Sequence, residues 1–327
     1  MKTVWPAEWE NHKNTWMIWP IRAEIWPDIN KAYAVYANIA NAISEHESVK
    51  LILPQESIKN AKKYLSSAIE MIDYQCDDSW SRDSMPIFVD DNKKLKALNF
   101  QFNAWGEKFS PFDSDQKLKT FLNKEEKWDF EEISLIVEGG SIHSNGNGTL
   151  LTTKECLLNP NRNPALSEND IKEVLNTHLN IKHHLWLPYG IDGDCDTDGH
   201  IDNVACFIDE NSILIQSCDD QTDPNYQRHQ KNMAYLKTHG ANFNIIEINQ
   251  PNRQEFQNNR LALSYLNFYF CNHGIIMPSF NDKKADSNAK AVLTELFPRK
   301  TIHQIHALDL LVGGGGIHCI TMQQPDI

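Results

Sequence analysis

The sequence is short of positive charge, of paired cysteines and of long apolar runs, and each shortage closes off a class of function. Lys and Arg number 31 against 44 Asp and Glu, for a formal charge of -13 over 327 residues. Such a balance repels a phosphate backbone, so nucleic acid is not expected as a partner. It favours small cations wherever the carboxylates converge on a cleft. The seven cysteines, at 76, 156, 195, 206, 218, 271 and 319, are an odd number with no C-x-x-C pair. That argues for reduced thiols in a cytoplasmic protein, not a disulfide framework. No apolar run approaches the roughly eighteen residues that span a bilayer, so no membrane association is expected. The opening Met1-Lys2-Thr3-Val4-Trp5-Pro6 does not read as a secretion signal. No Gly/Ser-rich or Pro-rich linker divides the chain, and the Asn/Gln-rich patch at 249–259 fits a surface loop. One domain over 1–327 is expected.

What is present is apolar periodicity and aromatic mass: 41% of residues are apolar and nine are tryptophan. Tryptophans crowd the first twenty-six positions, and any left exposed there are candidates for an interface. Residues 15–19 read as a strand stopped by Pro20, and 29–45 carry helical spacing. Ser48 to Leu53 reads as a strand ended by Pro54, and 58–69 as a second helix. Strand and helix in alternation point to an α/β protein. Three later helices are expected: 168–179, opened by Ser167 with Asp170; 225–238, opened by Asp223-Pro224; and 286–297, stopped by Pro298. Five stretches share a short apolar strand beside a polar or glycine turn: Ser81 to Val89, Ile136 to Thr153, His200 to Gln216, Leu266 to Phe280 and Leu311 to Met322. Their spacing of roughly fifty to sixty residues suggests repeated units around an axis.

Four places carry chemistry. In Gly313-Gly314-Gly315-Gly316-Ile317-His318-Cys319-Ile320-Thr321, a glycine turn leads to a cysteine among β-branched residues. A thiol at the mouth of such a turn is a candidate nucleophile, and the run equally fits a flexible tail with a buried cysteine. On a strand His318 would face away from Cys319. The segment Asp77-Asp78-Ser79-Trp80-Ser81-Arg82-Asp83 combines carboxylates, an arginine and an indole. It reads as a guanidinium or ammonium site, or as a polar loop with an internal Arg–Asp pair. Glu138-Gly139-Gly140 precedes the Asn145-Gly146-Asn147-Gly148 hairpin signal; its glycines read as hairpin furniture, not as a phosphate cradle. The acidic run 192–203 lacks the terminal glutamate of a calcium loop. If His200-Ile201-Asp202 enters a strand, His200 and Asp202 project into one space. A zinc site there lacks the usual ligand spacing. The remaining histidines, 183, 184, 303 and 306 among them, read as structural or exposed.

Together these residues resemble the agmatine deiminase family, the Porphyromonas-type peptidylarginine deiminase group of the guanidino-group-modifying superfamily. Six motifs in the family's order carry the resemblance: Pro6-Ala7-Glu8-Trp9-Glu10 with Trp16-Met17-Ile18-Trp19-Pro20; Asp78-Ser79-Trp80-Ser81-Arg82-Asp83; Glu138-Gly139-Gly140; Asn159-Pro160-Asn161-Arg162-Asn163-Pro164; Thr197-Asp198-Gly199-His200-Ile201-Asp202-Asn203; and Gly314 to Thr321. The resemblance implies a five-bladed α/β propeller of ββαβ-type units around a pseudo-five-fold axis, with homo-oligomers. It also implies hydrolysis of agmatine with no metal or organic cofactor. It assigns Cys319 as nucleophile, His200 as general acid/base, Asp83 and Asp202 as the guanidinium clamp, Glu138 as the acid that orients the histidine, and Trp80 as the aromatic wall. Asp196 stands where the family often has glutamate and is expected to read the substrate's amine. Departures are Met85 before Pro86, Met322 after Thr321, and Gly193-Asp194-Cys195. Met85 is expected to reshape the pocket wall. Free or peptide-bound arginine is the alternative substrate, and a guanidine-binding protein without catalysis is the alternative class.

Overall fold

The computed structural model describes residues 3–327. Five of its sheets share one connectivity: two antiparallel strands, then a helix, then a third strand parallel to the middle one. The first has Ile87–Asp91 and Leu95–Gln101, the helix Asp113–Glu126, and Asp129–Ile136. The second has Ile142–Ser144 and Thr149–Thr153, the helix Glu168–Leu179, and His183–Leu187. The third has Ala205–Asp209 and Ser212–Ser217, the helix Pro224–His239, and Asn244–Asn249. The fourth has Tyr269–Cys271 and Gly274–Ser279, the helix Lys283–Leu296, and Thr301–His306. The fifth closes the chain on itself: Met322–Pro325 pairs antiparallel with His12–Ile18, and the helix Ile29–Ser44 leads to the parallel strand Ser48–Leu53. Glu70–Asp73 extends that sheet, and Thr3–Val4 extends the first.

The middle strands are the most buried, as strands covered on both faces must be. Every residue of Thr149–Thr153 and Ser212–Ser217 is buried. The helices start where local chemistry satisfies their first N–H groups. Ser167 and Asp170 form a reciprocal capping box, and Asp223 accepts from the Asn225 N–H with Pro224 in the first turn. Asp282 caps Lys283–Leu296 in the same way, which starts that helix three residues before its apolar spacing predicts.

Other expectations are corrected. The helix expected over 58–69 is Gln55–Ala61, because Asn41 draws off the chain beyond it, donating to the Tyr64 carbonyl and accepting from the Ser66 N–H. Trp16, Trp19 and Trp26 are buried, and Trp5 and Trp9 are half-buried, so the opening segment presents no exposed indole. Met85 lies in the hydrophobic core with Trp16, Ile18 and Phe88, not in a pocket wall. Among the described residues, no helix is long and apolar enough to cross a membrane.

Candidate active site

In each of the five sheets, a short turn leads into the first antiparallel strand. Ser81–Ser84 precedes Ile87, Gly139–Ser141 precedes Ile142, Ile201–Asn203 precedes Ala205, and His318–Ile320 precedes Met322. The fourth sheet supplies residues 265–268 ahead of Tyr269. These five turns bring Asp83, Glu138, His200, Asp202, Asn267, His318 and Cys319 together, all buried.

The two expected strands are tight helical turns. Asp194 accepts from the His200 N–H at 3.1 Å and from the Thr197 hydroxyl, and these side-chain bonds hold the chain in a turn over 200–203. Alternation along a strand therefore does not apply, and turn geometry brings His200 and Asp202 to the same place. The turn over 318–320 likewise overturns the expectation that His318 faces away.

Gly140 sits at the centre of the cluster. A Cβ there would lie 2.6 Å from His200 Nδ1, 3.0 Å from Asp202 Oδ2 and 3.1 Å from Asp83 Oδ1. This glycine is a point of close approach, not hairpin furniture. Gly140→Ala is expected to lower turnover by about a hundredfold, since a displacement of about 1 Å among reacting groups costs that much. Steady-state kinetics beside a thermal melt would check it, with the melt little changed.

The nucleophile candidate and its neighbours are tightly spaced. Cys319 Sγ lies 3.4 Å from Asn267 Nδ2 and 3.6 Å from Asp202 Oδ2. Burial pushes its thiol well above the ordinary value, and the Asp202 and Asp83 carboxylates push the same way. His200 Nδ1 lies 4.0 Å from Asp83 Oδ1, and its Nε2 3.9 Å from Glu138 Oε2. Neither ring nitrogen has a hydrogen-bond partner in the protein, nor do Glu138 Oε2 and Asp202 Oδ1. Buried polar atoms are rarely left unpaired, so four together mark a place built to receive a polar group. Asp83 accepts from the Gly140 N–H and the Trp105 indole, both at 2.9 Å. Burial raises its carboxyl above the usual range, against the pull of His200.

A second layer holds these groups. Arg162 donates to Glu138 Oε1 at 2.6 Å and to Asp198 Oδ2 at 2.6 Å. The atoms of Glu138, Cys156 and His200 are close enough to share a metal ion, but the guanidinium already occupies one carboxylate oxygen and opposes a cation there. On the other side, His318 bridges Asp202 Oδ2 at 3.0 Å and Glu8 Oε2 at 2.9 Å. Arg82 pairs with Glu8 at 3.1 Å, so the alternative of an internal Arg–Asp pair inside 77–83 gives way to a partner far along the chain. Burial opposes the charged form of Asp202, yet the bond and charge of His318 hold its carboxyl below the usual range. Glu8, Asn267 and Trp105 had no assigned place in the sequence reading, and Arg82 and His318 had other ones. Glu8 and Arg82 lay inside motifs, a usable signal; Asn267 and Trp105 had none.

A pocket opens onto Cys319. Its walls are Trp80, Trp105, Phe109 and Ile25, its carboxylates Asp78, Asp83 and Asp196, and Gly313 to Gly315 form one side. At Gly315 a Cβ would sit 2.5 Å from the Trp80 ring, so the glycine run is ordered wall and not loose tail. Asp196 is exposed at the mouth. No lysine or arginine lines the pocket among the described residues.

Fold and pocket together define a class: hydrolases that cut carbon–nitrogen bonds of amidine groups. The Porphyromonas-type peptidyl-arginine deiminase family matches residues 4–325, and the chain belongs to that family. A protein of Legionella pneumophila (strain Paris) is 41% identical over 98% of this chain and 94% of its own length. The agmatine deiminase of Pseudomonas aeruginosa (strain LESB58) is 38% identical over 98% of this chain and 95% of its own. Among solved structures, a C. jejuni agmatine deiminase with a cysteine-to-serine change and substrate bound superposes with a TM-score of 0.93. It is 32% identical, covering 99% of this chain and 97% of that one.

Proposed function

We propose that the protein is an agmatine deiminase, converting agmatine and water to N-carbamoylputrescine and ammonia through a covalent adduct on Cys319. The observation that carries this reading is the set of buried, unpartnered polar atoms of His200, Glu138 and Asp202 gathered near Cys319, which itself opens onto a pocket lined by carboxylates and no lysine or arginine. The five sheets of one connectivity, each directing a turn toward Cys319, support a reading as five blades about a pseudo-five-fold axis. We read the chain as one catalytic domain over 1–327.

In this mechanism Asp83 and Asp202 accept from the guanidinium N–H groups and turn its carbon toward sulfur. The thiol is protonated in the empty site. An arriving cation about 4 Å from sulfur contributes about 4 kcal/mol at an effective dielectric of about 20, enough to lower the thiol by about three pH units. The thiol proton passes to His200, and the thiolate bonds to the guanidinium carbon. His200 returns the proton to one nitrogen, which departs as ammonia and leaves an S-alkylthiouronium. Water then attacks that carbon while His200 takes its proton; the C–S bond breaks and the ureido product leaves. Glu138, held by Arg162, faces the Nε2 side of the histidine and orients it. The steps call for no metal or organic cofactor.

Trp80 and Trp105 supply an apolar wall for the methylene chain, and Asp196 at the mouth receives the terminal ammonium. Free arginine would bring a carboxylate to this end, where Asp196 repels it; the buried Asp78 is paired with Arg22 at 3.4 Å. Lys108, the nearby cation, is taken up by Asp198 at 2.7 Å and by the Cys195 and Asp196 carbonyls. Asp196→Asn is expected to raise KM for agmatine by about twofold to fivefold with kcat little changed. Initial-rate ammonia assays check this, with arginine and an arginine peptide as comparison substrates. An unchanged KM removes Asp196 from substrate binding, and faster release from arginine than from agmatine removes agmatine as the substrate.

A further inference from the structure

Away from the pocket, Glu45, His46 and His303 bring one carboxylate and two imidazoles together, with ligand atoms all within 4.8 Å of one another. His46 Nε2 and His303 Nε2 face each other at 2.8 Å. We propose that these residues form a binding site for a zinc-class divalent ion, joining the fifth sheet's helix to the fourth sheet's last strand.

The donor set and geometry support this. Two imidazoles and a carboxylate are the ligands that tetrahedral zinc takes, whereas magnesium and calcium prefer oxygen alone. Zinc–nitrogen bonds of about 2.0–2.1 Å place two ring nitrogens about 3.4 Å apart, so the pair has to part by about half an ångström. Both histidines are half-buried and Glu45 is exposed, which leaves room for that movement and for water as a fourth ligand. The His46 ring is seated on backbone: a Cβ at Gly274 would lie 2.7 Å from its Nε2.

Electrostatics point the same way. Glu45 ends the helix Ile29–Ser44, whose last turn carries no basic side chain. A carboxylate at a helix C-terminus adds negative charge to the negative end of the dipole, and a bound cation offsets both.

The test is titration of ZnCl2 into EDTA-treated, desalted protein, followed by calorimetry and by metal analysis after a second desalting. One zinc per chain is expected. His46→Ala and His303→Ala are each expected to weaken binding by at least about tenfold, and Glu45→Gln to weaken it less. Agmatine turnover without zinc should be unchanged in these variants, which shows that they fold. Cobalt(II) in place of zinc should give visible bands without sulfur-to-metal charge transfer. Zinc binding that is absent from the wild type, or equal in both histidine variants, overturns the proposal. A thiolate band on cobalt also overturns it, and assigns the ion to Cys195, Cys156 or Cys319.

Discussion

Replacing Cys319 by serine is expected to lower agmatine turnover by about four orders of magnitude or more while agmatine binding remains measurable. A guanidinium carbon is resonance-stabilised and weakly electrophilic, so the reaction depends on a nucleophile as strong as a thiolate. The arriving cation eases ionisation of the thiol; a serine hydroxyl starts far too high for the same Coulomb energy to ionise it. The groups that hold the cation, Asp83 and Asp202, are untouched by the change. Ammonia release measures the loss, and calorimetry of agmatine on Cys319→Ser measures what is kept. Wild-type enzyme quenched during turnover should carry the substrate-derived mass on Cys319. Turnover by the serine variant within tenfold of the wild type would remove Cys319 as nucleophile.

The second large effect falls on His200. His200→Asn should lower kcat by about a hundredfold to ten-thousandfold, the range of a lost general acid/base, with KM changed far less. The ring is asked to move protons three times: from the thiol, to the departing nitrogen, and from water. Its nitrogens stand 4.0 and 3.9 Å from Asp83 and Glu138, near both carboxylates without a short hydrogen bond to either. Asparagine keeps a polar head there but has no group that takes up or releases a proton near neutral pH. The pH dependence of kcat in the wild type should contain an ionisation that the variant lacks. A retained pH profile with a small loss of rate would assign the proton transfers elsewhere.

Much of the framework could be read in residues close together in the chain. Ser167 with Asp170 and Asp223 with Pro224 announce their helices, because a cap is a local bond. The Asn145 to Gly148 signal gives its hairpin. Asp83, Glu138, His200, Asp202 and Cys319 were all picked out from motifs, and the fold assembles them. What could not be read was mostly tertiary. Arg82 finds Glu8 across 74 positions, and His318 finds Glu8 across 310, and no spacing rule links such residues. The strand readings at 200–203 and 318–320 failed for a local reason. Asp194 and Thr197 offer side-chain bonds that outcompete an extended backbone at His200, while Asn267 accepts from the His318 N–H. Met85 misled because its neighbours in sequence are pocket residues, whereas its side chain turns into the core.

The fifth sheet has a consequence for how this molecule comes to life. Its strand Met322–Pro325 lies against His12–Ile18, and Gln324 accepts from the Trp16 indole across 308 positions. Cys319 stands just ahead of that strand. During synthesis the first four sheets can form as they emerge, but the strand around Trp16 has no antiparallel neighbour until almost the whole chain is out. The sulfur reaches its carboxylates only when the two distant segments zip together. Turnover is thus a reporter of completed folding: a partly made chain holds the carboxylates and the histidine, but not the atom that reacts.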